Sequence, residues 1–211
     1  MGVEMPVIQR RAQDTRSALL HAARQVFADV GYSDASVAEV VSRAGSSVGS
    51  MYHHFGGKAD LYTALYDGFQ TRQDARADGA VREAMAEGEW DPVALMAAGS
   101  RAFLQGAWAE RDLARLFLTG DGPPGFDEVL RNGFTGWAQR SGAGLRSADG
   151  RPLNQAHLLV IGSVIAAGAR EVTNQADSLA AAAFTEDLVG MLDRLCRPVG
   201  HRERDLAEQP G

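Results

Sequence analysis

Apolar side chains recur along this chain at intervals of three and four residues, the spacing that gathers them on one face of an α-helix. Leu19, Ala22, Ala23, Val26, Phe27 and Val30 form a first such face over residues 14–30, closed by Gly31. Val37, Val40 and Val41 form a second, much shorter face, and Met51 with Phe55 a third. Leu61, Leu65 and Phe69 open a longer helix running from Lys58 towards Met85. Asp91-Pro92 marks a fresh start, an N-cap followed by the residue that suits a first helical position. Beyond it the pattern predicts helices over 93–110, 111–118, 126–140, 153–173 and 179–195, with glycine-rich loops at 119–125 and 141–152. No stretch alternates as a strand does, so the fold class predicted is all-α. Residues 1–13, with Pro6 and little periodicity, are expected to be a mobile arm, and residues 201–211 a disordered tail.

The two short faces between Ser36 and Lys58 predict a packed helical pair. Ser36 is an N-cap with Glu39 at the capping-box position, Gly45 can close the first helix in the left-handed conformation, and Ser46 or Ser47 caps the second. Val48, Gly49, Ser50, Tyr52 and His53 then stand on the outer side of the second helix. Periodicity leaves two readings equally open here, a DNA-reading hairpin and a plain pair inside an all-α core.

Charge changes that picture. The chain of 211 residues carries a net charge of −6, yet residues 1–60 hold six basic and six acidic side chains, so the acidic excess lies entirely after residue 60. Between Glu39 and Asp60 there is no acid, while Arg43, His53, His54 and Lys58 fall inside or beside the hairpin. A phosphate backbone meets little repulsion at such a surface. Arg10 and Arg11 precede the first helix, where a minor-groove or phosphate contact and a solvated basic tail are equally open.

Candidate chemistry is sparse. Cys196 is the single cysteine and has no partner for a disulfide or a zinc site. No catalytic motif with a mechanism occurs, no pair of histidines has metal-ligand spacing, and the loop at 119–125 lacks the lysine of a phosphate-binding loop. No enzymatic activity, cofactor or metal is expected. With no apolar run of eighteen residues and no signal-peptide core, the expected location is cytoplasmic and no membrane partner is expected.

Ala44-Gly45, Ser47, Gly49, Met51-Tyr52, His54-Phe55, Lys58 and Asp60-Leu61 together resemble the DNA-binding signature of TetR-family transcriptional regulators. The resemblance covers about a quarter of the chain and departs at Ser46, where the family usually carries an apolar residue, and at Ser36, where it usually carries Thr. It implies a three-helix helix-turn-helix domain over residues 1–57 and a larger helical effector-binding and dimerisation domain over 58–200, of which 58–86 is the connecting helix. It also implies double-stranded operator DNA, a second copy of the chain and a small-molecule effector as partners. Val48, Gly49 and Ser50 are then the base-reading residues. Ser36, Ser46, Ser47, Tyr52, His53, His54 and Lys58 are assigned mainly to phosphates.

The resemblance further implies an effector cavity in the second domain, for which Met96, Phe103, Trp108, Phe117, Phe134, Trp137, His157 and Arg170 are the candidates. Without it, helical spacing places the same apolar side chains in ordinary core. The last two long helices are expected to pair across a two-fold axis through Leu158, Ile161, Ile165, Ala169, Phe184, Leu188, Met191 and Leu195. The function implied is a ligand-responsive homodimeric repressor. The alternatives are a helical small-molecule-binding or scaffolding protein that does not bind an operator, and an activator.

Overall fold

The computed structural model describes residues 7–118, 121–133, 144–146 and 151–196. These residues form helices α1 (Val7–Asp34), α2 (Val37–Arg43), α3 (Val48–His54), α4 (Lys58–Ala86), α5 (Pro92–Ala109) and α6 (Arg111–Leu118). Helical residues 126–133 (α7), α8 (Gln155–Val172) and α9 (Ser178–Cys196) follow. The fold is all-α. Phe134, Trp137 and the expected tail lie outside the described residues.

Two compact units share these helices: Met1–Thr71 with Arg115–Phe126, and Arg72–Ala114 with Asp127–Gly211. The expected boundary after residue 57 falls inside the first of these units. The first fourteen residues of α4 and a segment far along the chain both belong to the first unit, because aromatic side chains draw them together. Tyr62 meets Phe117 and Phe126 edge-on with ring centroids 5.2 and 4.9 Å apart, and Tyr66 meets the same two rings at 5.3 and 5.0 Å. Such pairs add to the area they bury. Leu19, Val26, Phe27, Met51 and Leu61 complete this buried core.

Helix α1 begins at Val7, so residues 7–13, expected as part of an arm, are helical. Gly31 breaks the helical path at φ 77°, a conformation costly for any residue with a Cβ. In the second unit α5 packs on α8 and α9 around Val93, Met96, Ile161, Ile165 and Leu192. Leu145, in a stretch expected to be loop, is buried in that core. Gly168 lets Leu188 of α9 lie against α8 where a methyl group would block it. Arg101 of α5 reaches Glu186 of α9 through two hydrogen bonds of 2.7 and 2.9 Å.

Candidate nucleic-acid interface

The hairpin is built by its caps. The Ser36 hydroxyl accepts from the amide of Glu39 at 3.1 Å and starts α2. Glu39 does not return the bond as a full capping box would, since its carboxylate pairs with Arg43 at 2.6 Å. At the far end Gly45 (φ 60°) and Ser46 complete a Schellman turn, their amides donating to Ser42 and Val41 carbonyls at 3.2 and 3.1 Å. Ser47 then caps α3, its hydroxyl accepting from the Ser50 amide at 3.1 Å. Ser46 is thus half-buried in the turn, with Ser47 acting as the cap.

One side of α3 is anchored and the other is open. Met51 is fully buried and Phe55 nearly so, whereas Val48 is 50% exposed and Tyr52 56% exposed. Gly49 and His53 are exposed, Ser50 and His54 half-buried. His53 and His54 stand edge-to-face at 5.2 Å. Nothing within 4 Å except the Ser47 hydroxyl would meet a side chain at Gly49, so the backbone there is bare on its outer side.

The two strong cations of the stretch are bonded within the protein, Arg43 at the surface and Lys58, expected on phosphate, to backbone carbonyls. Its ammonium donates to the carbonyls of Tyr32, Ser33 and Ala35 at 2.7, 3.2 and 2.9 Å and sits 4.4 Å from the Tyr32 ring centroid. An ammonium has three donors, and all three are used. Lys58 therefore caps the carbonyl end of α1. Arg43 is likewise held, by Asp29 and Glu39 at 2.6 Å each. Arg16, which the motif does not include, lies 5.0 Å over the ring of Phe55 on the exposed side of α1. Only folding brings it beside the end of α3.

A residue that composition alone marked as part of a turn completes the frame. The Asp121 carboxylate accepts from the Tyr32 amide at 2.6 Å, the Ser33 amide at 3.3 Å and the Ser33 hydroxyl at 2.7 Å. These bonds, the Ser33 hydroxyl's foremost, and the nearby charge of Lys58 hold its carboxyl below the ordinary carboxylate range. The Tyr62 hydroxyl donates to the carbonyls of Leu116 and Asp121 at 3.2 and 2.9 Å. Burial first, and the charge of Asp121 second, push that phenol well up, so it stays a neutral donor.

The other expected sites fare unevenly. Met96 and Phe103 lie together in or against the second core. Phe117 lies in the aromatic cluster of the first unit. Trp108 is half-buried under the Arg111 guanidinium at 4.7 Å, and Arg170 is exposed. His157 is exposed, hydrogen-bonded through Nδ1 to Asn154 at 2.7 Å. Of the expected pairing residues, Ile161, Ile165 and Ala169 are buried in their own unit and Leu158, Phe184 and Leu188 half-buried. Met191 and Leu195 are exposed, joined by Leu159, Val160 and Leu179, which were not foreseen. A broad apolar face on a helix does not show which of its sides is turned to its own core. Among the described residues, no group of acids, histidines and cysteines could hold a metal, and no helix is long and apolar enough to cross a membrane.

A capped pair of short helices, one buried against a supporting helix and the other open along its outer face, is a helix-turn-helix. Residues 19–65 match the model of the bacterial regulatory proteins of the tetR family. TtgR, a transcriptional regulator of Pseudomonas putida, is 33% identical over 88 residues, 42% of this chain and 40% of TtgR. UidR of Escherichia coli K12 is 38% identical over 72 residues, 34% of this chain and 37% of UidR. The chain thus matches about two fifths of the length of these relatives. A tetR-family regulatory protein of Rhodococcus RHA1 shares the fold over 88% of this chain and 98% of its own, with TM-score 0.67 and 16% identity. Over residues 19–65 the chain is thus similar to the TetR family of transcriptional regulators, and the likeness lies in its helix-turn-helix.

Proposed function

We propose that this regulator is a homodimer that represses transcription by occupying a palindromic operator, each protomer placing α3 in a major groove. The open face of α3 carries the proposal. Gly49 lets the backbone approach base edges, Val48 offers methyl groups to a thymine, and Ser50 can donate or accept. Ser36 and Ser47 each accept an amide bond and still have a hydroxyl hydrogen to give to phosphate, alongside Ser46, Tyr52, His53 and His54. Arg16 adds a cation beside the end of α3. Two-fold symmetry sets half-sites about 34 to 36 Å apart or a multiple of it.

The second copy is proposed to cover Leu159, Val160, Leu179, Met191 and Leu195, large apolar side chains between 47 and 79% exposed on the last two helices. The second unit is proposed to receive a small-molecule effector with Met96 and Phe103 in its lining. The effector would act on the reader through α4 and α6, each of which contributes residues to both units. It can shift operator binding only by its difference in affinity for the two states.

Selection of binding sites from random DNA tests the reading. A symmetric site with the stated spacing is expected; recovery of no preferred sequence would overturn operator recognition and leave a helical binding protein. A reporter driven from the selected site separates repression, seen as reduced expression, from activation.

A further inference from the structure

Gln73 of α4 is fully buried, and neither its Nε2 nor its Oε1 has a hydrogen-bond partner among the described residues. A buried unpaired carboxamide is costly, and such groups in folded proteins call for a partner. A local remedy exists elsewhere in the chain: Gln175 donates from Nε2 to the carbonyl one turn back, at 3.3 Å. Gln73 does not take it. Its carboxamide lies against Gly106 of α5, in space that a methyl group there would contest with the Gln73 carboxamide and the Arg76 side chain. The hydroxyl of Ser100 is also buried and unpaired, but a rotation about one bond can turn a helical serine to its own backbone, so it carries less.

The surroundings narrow what a partner can be. Arg72 and Arg76, which flank Gln73 along α4, both bind the Glu110 carboxylate, at 2.5 and 2.6 Å. Burial alone would push that carboxyl up, but the bonds from Arg72 and Arg76 outweigh it and hold it below the ordinary carboxylate range. Gln73 itself offers a donor and an acceptor side by side on a neutral group.

We infer that Gln73 is the polar anchor of the effector site, binding an uncharged, largely apolar molecule that carries a donor and an acceptor on one edge, such as an aromatic carboxamide or a lactam. This rests on the proposal that the second unit receives an effector. The ligand's N–H donates to Oε1 and its carbonyl accepts from Nε2, replacing two unmade bonds with two made ones.

The test compares benzamide, acetophenone and toluene at equal concentration by thermal shift on the full chain. Benzamide offers both groups, acetophenone the acceptor alone, toluene neither. Benzamide is expected to raise Tm most and toluene least. In Gln73→Leu, and in the unbranched Gln73→Met, the benzamide advantage is expected to vanish, its apparent Kd rising about tenfold or more while the toluene response stays. An equal response to all three in the wild type, no response to any, or a benzamide advantage that survives both variants would overturn the anchor. Operator binding measured in parallel keeps the failures apart, because loss of DNA binding by the wild type counts against the reader and leaves the probe series unaffected.

Discussion

The polar groups of the first unit and the buried carboxamide of the second are treated in opposite ways. Around the reader, Lys58 gives all three of its donors to carbonyls, Asp121 is bonded to Tyr32 and Ser33, Tyr62 donates to carbonyls, and both serine caps accept amides. In the second unit Gln73 is sealed from water with no hydrogen-bond partner among the described residues. A surface that must fit a rigid duplex gains from a frame whose hydrogen bonds are already made. A site that must respond to a ligand gains from groups satisfied only when the ligand is present. On the proposed reading, the first unit is finished before it meets DNA, and the second is completed by its ligand.

The largest expected effect tests whether the reader's frame depends on the late segment of the chain. Phe117→Ala should cost about 3 to 5 kcal/mol in urea unfolding, the usual loss for a large aromatic in a core. A cost near that of a surface change would mean that the aromatic cluster does not support the first unit. Next, Lys58→Met should destabilise by about 1.5 to 3 kcal/mol, the range for hydrogen bonds to a charged group, and leave the salt dependence of operator binding unchanged. A slope reduced by about one would return Lys58 to the phosphate contacts.

Ser47→Ala removes a cap and should cost about 1 kcal/mol, with Ser47→Gly costing less. Equal losses in the two would show that the hydroxyl does not cap α3. The smallest effect is the pH response of Asp121, whose carboxyl is largely solvent-screened. Its folded pKa lies below its unfolded one, so its contribution is complete above the ordinary carboxylate range and is lost as pH falls through the depressed value. Asp121→Asn should therefore flatten the acid limb of stability slightly; an identical acid limb would remove Asp121 from the frame.

The reader was largely legible in the chain because its determinants are local. Ser36, Gly45 and Ser47 act on amides and carbonyls within five residues, and the apolar spacing of Val40, Val41, Met51 and Phe55 fixes the buried sides of α2 and α3. What spacing could not supply was the destination of groups that act at long range. The motif marked Lys58 as a cation beside the hairpin, but only the fold brings it to the carbonyls of residues 32, 33 and 35. Asp121 read as a turn residue because its partners are 88 and 89 positions away. Phe117 read as a second-unit residue because nothing local distinguishes one aromatic core from another. On the last helices, sequence determined that two sides are apolar, and tertiary packing decided that Ile161 and Ile165 face inward while Leu159 and Val160 do not. Sequence fixes what each residue can bond to and at what helical angle it stands; which partner reaches it is set by the joint packing of all helices, and no local pattern encodes that.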